Sequence, residues 1–251
     1  MKTPAEQQKE NIRAAYGEIA RTRNTESSVP CCAPPDHEPD YSHQEIASVP
    51  EGAFLGAGSG NPVRVAGLRS GEVVIDLGSG AGMDVFLAAN RVGKSGRVIG
   101  VDMTPPMLQR ARVTAAGGDY PQVEFLQADI ESLPLASAVA DVVLSNCVIN
   151  LAPDKAAVYR EIYRVLKPGG RFAIADIVLQ GPPALIPQAV KGLPACGCIA
   201  TALEENAYLD AIRAAGFEAV ELLAQRPALA QPLNGLVRAH AVTLVGQKPR
   251  A

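Results

Sequence analysis

Val73-Val74-Ile75-Asp76-Leu77-Gly78-Ser79-Gly80-Ala81-Gly82-Met83-Asp84 is an apolar run that breaks into three alternate glycines and then resumes with helical spacing. It reads as a buried strand, a tight turn and a helix. Glycines in such a turn let backbone N–H groups approach a ligand without a side chain in the way. Downstream, Val98-Ile99-Gly100-Val101-Asp102 is a second strand ending in an acid, about 20 residues past the glycines, where a carboxylate can accept ribose hydroxyls. Further strands are expected at 123–127, 141–145 and 172–177, with helices at 83–91, 106–116 and 155–166. The last helix is stopped by Lys167-Pro168-Gly169-Gly170. A helix at 204–215 and strands at 219–223 and 237–245 close the chain. Alternation of this kind predicts an α/β fold with a doubly wound, mainly parallel sheet of seven strands. Upstream, residues 4–23 carry a helical pattern with Ile12, Tyr16, Ile19 and Ala20 near one face. A polar loop over 24–40 and a glycine-rich loop over 52–62 follow it.

Composition narrows the function classes. The 251 residues are 47% hydrophobic, enough for a real core, and the net charge of −3 shows no basic excess, so nucleic acid is not an expected partner. No apolar run approaches the roughly 18 residues of a spanning helix. Residues 1–23 lack the apolar stretch of a signal peptide, which predicts a cytoplasmic protein with no membrane association. Five scattered cysteines (Cys31, Cys32, Cys147, Cys196, Cys198) match neither a disulfide scaffold nor the paired spacing of a structural zinc site. His37, His43 and His240 have no partner spacing and read as surface residues.

Cys147 follows the strand at 141–145, at its C-terminal end, where open α/β sheets bind ligands. Position alone leaves a buried structural cysteine equally open, because free Cys packs like a small hydrophobe.

The glycine spacing differs from the dinucleotide pattern G-x-G-x-x-G. Asp76-x-Gly78-x-Gly80-x-Gly82 resembles the first motif of class I S-adenosylmethionine-dependent methyltransferases, which implies a Rossmann-like fold. Asp102-Met103 resembles that family's ribose and adenine contact, and Gln127-Ala128-Asp129-Ile130 the segment whose acid meets the adenine amino group. Leu166 to Gly170 resembles the helix end before the fifth strand. An ordinary tight turn, and a helix cap at Asp129, are the plain structural alternatives.

No histidine stands near these motifs to serve as a base. What the chain offers is sulfur, and thiolates prefer soft centres. Trivalent arsenic takes three sulfurs and keeps a lone pair able to attack a sulfonium methyl carbon. Ser145-Asn146-Cys147-Val148-Ile149-Asn150-Leu151-Ala152-Pro153-Asp154-Lys155 resembles the signature of arsenite S-adenosylmethionine methyltransferases. Cys196-Gly197-Cys198-Ile199-Ala200-Thr201-Ala202-Leu203 resembles their second arsenic-binding cysteine, and Tyr16-Gly17 followed by Cys31-Cys32 their N-terminal segment.

The resemblance implies that Cys147 and Cys198 hold As(III), with Cys31 or Cys32 delivering it, acting as third sulfur or closing a disulfide. It implies that Asn146 contacts the methionine part of the cofactor. Gly192-Leu193-Pro194-Ala195 departs from the bulkier residues usual before the second cysteine, so Cys196 and Cys198 both stay open. The expected organisation is an N-terminal helix and cysteine loop over 1–65, a cofactor-binding core over 66–180 and a substrate segment over 181–251. The expected substrate is arsenite or its thiol adducts, with glutathione or thioredoxin as reductant. A methyltransferase for a small organic acceptor and a non-catalytic arsenite binder are the other readings.

Overall fold

The computed structural model describes residues 2–22, 40–193 and 197–250. Its elements run α1 (Pro4–Thr22), α2 (His43–Ala47), α3 (Pro62–Val65), β1 (Val73–Leu77), α4 (Met83–Val92), β2 (Arg97–Asp102), α5 (Pro105–Ala116), β3 (Val123–Gln127), β4 (Ala140–Asn146), α6 (Lys155–Val165), β5 (Leu166–Gln180), α7 (Ile186–Ala189), α8 (Glu205–Ala214), β6 (Glu218–Pro227) and β7 (Arg238–Gln247). They build one seven-stranded sheet in the order β3-β2-β1-β4-β5-β7-β6. Strands β1 to β5 are parallel, and β7 runs antiparallel between β5 and β6.

Successive strand residues point to opposite faces, and the apolar runs use both. Val74, Val98 and Val142 are neighbours in register and pack with Phe86 of α4 and Leu108 of α5. Ile75, Ile99 and Val143, one residue on, pack on the other face with Tyr159 and Ile162 of α6 and Tyr208 of α8. Helices therefore cover the sheet on both sides. The chain steps from β1 outward through β2 to β3, then returns to β4 on the opposite side of β1. That reversal opens a crevice above the carboxyl ends of β1 and β4.

Three details differ from the sequence expectation. Strand β5 is much longer than 172–177, because Leu166 already has extended backbone after α6 and ten residue pairs with β7 carry the strand on to Gln180. Short helices α2 and α3, to which the sequence reading assigned no element, lie between and just after the two loops, α2 closed by a reciprocal Ser42–Glu45 capping box. His240 is half-buried rather than a plain surface residue: it sits on an interior strand, its Nδ1 is buried without a hydrogen bond among the described residues, and burial pulls its pKa down. Among the described residues no helix is long and apolar enough to cross a membrane.

Candidate active site

The crevice encloses about 1120 Å³ of space, part of it open to solvent. Its floor is the glycine turn after β1. Gly78 N–H and Ser79 N–H both donate to the Val101 carbonyl (2.7 and 3.0 Å), bolting the turn to β2. Gly78 has φ +67°, and a Cβ there meets Val148 at 2.4 Å, so only glycine fits. Gly80, at φ +53°, has nothing within 4 Å of a Cβ and borders open crevice. Gly82 does not line the space. At φ +101° it starts α4 and lets Phe86 pack close, so its role is turn and packing.

Three acids converge here. Asp102 accepts from Gly80 N–H (3.0 Å) and Thr104 N–H (2.7 Å); burial raises its pKa while these donors oppose the rise. Asp76 is buried, faces the crevice and receives no side-chain hydrogen bond among the described residues. Burial, then the charges of Asp84 and Asp102, hold its carboxyl well above the usual range. Asp84, in the first turn of α4, accepts from Tyr41 Oη at 2.8 and 2.9 Å, and burial pushes it up to about 6.

Neither Asp84 nor Tyr41 was expected. The available signal was an acid set among Met83, Val85, Phe86 and Leu87, all buried. Asn146 lines the crevice, but its amide is committed to protein. Nδ2 donates to Tyr41 Oη (2.8 Å), Gly60 O (2.9 Å) and Asp84 (3.2 Å), and Oδ1 accepts from Ser59 N–H (2.9 Å). It clamps the glycine-rich loop to the end of β4.

Helix α1 lies over the far end of the crevice. Ile12 and Tyr16 line it, as do Met103, Asp129 and Ile130. Lys9 Nζ pairs with Asp129 (2.6 Å) and with Glu131. Burial pulls the Lys9 pKa down, but the two carboxylates outweigh it and the net shift is upward. Asp129 also accepts from Glu131 N–H (3.0 Å), as a turn-capping acid does.

The sulfurs meet at the wall beside β4. Cys147 is buried, lines the crevice and holds φ +56°, its N–H donating to Ala175 O at 2.8 Å. Cys198 is fully buried, and its Sγ lies 2.6 Å from that of Cys147, across 51 residues of sequence. Cys198 is disulfide-bonded. Around both lie Ile177, Leu179, Ile199 and Ala202. Cys31, Cys32 and Cys196 lie outside the described residues. Among the described residues no group of three His, Cys, Asp or Glu side chains forms a metal-ion site, and no histidine lines the crevice.

A family model described as a methyltransferase domain matches residues 68–216. The arsenite methyltransferase of Halobacterium salinarum is 49% identical over 184 residues, covering 72% of this chain and 46% of that protein. That of Mus musculus is 34% identical over 179 residues, covering 66% and 46%. The chain thus spans about half the length of these curated relatives. The crystal structure of CrArsM, an arsenic (III) S-adenosylmethionine methyltransferase from Chlamydomonas reinhardtii, matches with TM-score 0.67 at 30% identity, over 95% of this chain and 74% of that one. With a methyltransferase domain through its core and that likeness along nearly its whole length, the chain belongs to the arsenite methyltransferase family.

Proposed function

We propose that the protein transfers methyl groups from S-adenosylmethionine to trivalent arsenic held by Cys147 and Cys198. The observation that carries this reading is the meeting of the two sulfurs at the crevice wall, 2.6 Å apart.

The crevice suits the cofactor. Among the described residues Asp76 is a buried carboxylate with no side-chain hydrogen bond, which an ammonium group would satisfy, and Ser79 Oγ is buried there without one, while Gly80 leaves open space. Asp102 retains lone pairs for ribose hydroxyls, while Met103, Ile130 and Asp129 border the adenine end. Asn146 acts in this reading through Asp84 and the glycine-rich loop rather than by direct contact. When bound, S-adenosylmethionine supplies a methyl group on a sulfonium.

On the acceptor side, As(III) bound by thiolates keeps its lone pair and needs no base, consistent with a crevice lined by no histidine among the described residues. Cys147 presents the metalloid to the crevice and Cys198 backs it in an apolar pocket that excludes water. Catalysis is then chiefly positioning, which can supply up to ~7–11 kcal/mol. Turning the lone pair into an As–C bond oxidises arsenic by two electrons. Two thiols closing to a disulfide return them, and glutathione or thioredoxin reopens it. Cys31 or Cys32 is proposed as the third sulfur.

The test incubates protein, arsenite, labelled cofactor and glutathione, then speciates arsenic by mass spectrometry. Methylated arsenicals are expected, and Cys147→Ser or Cys198→Ser should lower their yield by at least about 100-fold, since a hard hydroxyl does not replace a thiolate. Full turnover by both variants on a small organic acceptor overturns the arsenic reading. Stoichiometric As(III) binding without S-adenosylhomocysteine makes the protein a binder rather than an enzyme.

A further inference from the structure

One buried acid has no part in the chemistry above. Asp176 on β5 is fully buried and receives four donors. Its Oδ1 accepts from Asn150 Nδ2 (2.8 Å) and Ile177 N–H (2.9 Å), and its Oδ2 from Asn150 N–H and Tyr208 Oη, both at 3.2 Å. Asn150 stands three residues after Cys147, in the 3-10 turn Ile149–Leu151, and its Nδ2 also donates to Ile177 O (2.6 Å). Tyr208 belongs to α8, the helix reached directly from the Cys198 segment. That segment is pinned to the same strand by Leu179 N–H donating to Leu203 O at 2.9 Å. A single carboxylate thus joins the turn carrying one sulfur to the helix that follows the other.

We infer that Asp176 is the positioning residue of the arsenic site, registering both cysteine-bearing segments on β5 and so setting the separation of Cys147 and Cys198. The inference rests on the assignment of those cysteines to arsenic. Its physical basis is acceptor capacity: two carboxylate oxygens receive four donors, which no neutral side chain of that size can do. Asp176→Asn keeps the shape but turns an NH2 group toward two donors, whichever way the amide faces. The Cys147 turn or α8 must then shift.

The experiment titrates the reduced protein with phenylarsine oxide, which bridges two thiols, and measures KM for arsenite and for S-adenosylmethionine separately. Asp176→Asn is expected to weaken phenylarsine oxide binding and raise the arsenite KM by at least about tenfold. The KM for S-adenosylmethionine should stay within about twofold, an asymmetry that general loosening of the fold does not produce. Tyr208→Phe removes one hydroxyl donor and keeps the ring, so it reports even where the aspartate variant fails to fold; a severalfold weakening is expected. Wild-type protein that binds no phenylarsine oxide sinks the arsenic assignment itself. Wild-type binding at one equivalent, with folded variants equally tight, overturns the positioning role of Asp176.

Discussion

Gly78 and Gly80 share the left-handed backbone region yet differ in what surrounds them, and the difference separates stability from binding. A methyl at Gly78 adds both dihedral strain and a 2.4 Å clash with Val148. Gly78→Ala is therefore expected to lose about 2–4 kcal/mol of unfolding free energy in urea denaturation. At Gly80 the methyl meets nothing within 4 Å, leaving only the ~1–2 kcal/mol left-handed penalty while the methyl intrudes on the crevice. Gly80→Ala should stay folded yet bind S-adenosylhomocysteine at least about tenfold more weakly by calorimetric titration. Equal losses of stability in the two variants contradict this account. The sequence marked both glycines as turn residues, and also Gly82, whose packing role depends on Phe86 and so on the folded helix. Asn146 shows the same limit. Its place beside the crevice was legible from the strand end before Cys147, but its four committed hydrogen bonds join it to Tyr41, Asp84, Ser59 and Gly60, which only the fold brings near.

Strands β1, β2 and β4 were legible because their apolar runs are nearly continuous, as buried parallel strands require, and the edge strand β3 by Val123, Phe125 and Leu126. Strands β5, β6 and β7 extend past the stretches read from sequence, through Arg171, Gln180, Arg226 and Gln247, because antiparallel pairing holds polar ends that carry no hydrophobic signal. Helix α2 did have a signal, Ser42 followed three residues later by Glu45, masked by prolines and glycines on either side. Helix α1 was legible by period, but not its docking, which rests on Ile12 and on Lys9 reaching Asp129 and Glu131. Lys9 carries the salt bridges of that docking. Lys9→Ala leaves two partly buried carboxylates facing each other, so α1 should open more often. Hydrogen exchange should then quicken about tenfold across Pro4–Thr22, a shift on the order of 1–2 kcal/mol in local opening, while β1 and β4 keep their protection. Unchanged exchange in α1 assigns its docking to the apolar contacts of Ile12 and Tyr16 and to the Gln8–Leu151 and Arg110–Ala20 hydrogen bonds.

Over the whole molecule the acids fall into two groups with opposite effects on stability. Asp84 and Asp176 are pushed by burial from an ordinary 3.8 to about 6, and Asp76 moves in the same direction. For Asp84 and Asp176 the native state then holds more protons than the unfolded chain between about pH 4 and 6, so their contribution to stability falls as pH rises through that window and levels off above it. Glu45 behaves the other way. Burial pushes it up, but the Ser42 backbone N–H and the Arg64 guanidinium overcome this and hold it at about 2. Its contribution is complete above its ordinary 4.5 and is lost as pH falls toward 2. The ligand-free protein should therefore be most stable near pH 4–5, gaining on the order of 1–2 kcal/mol per buried acid relative to pH 7. Tm in dye-reported melting should rise from pH 7 to pH 5. A bound ammonium group needs Asp76 charged, so the increment in Tm given by S-adenosylhomocysteine should shrink over that same interval. Crossing trends in the two melting series tie the acids that strain the empty fold to the ones that grip the ligand. A bare Tm that falls from pH 7 to pH 5 shows instead that these carboxylates are already satisfied without it.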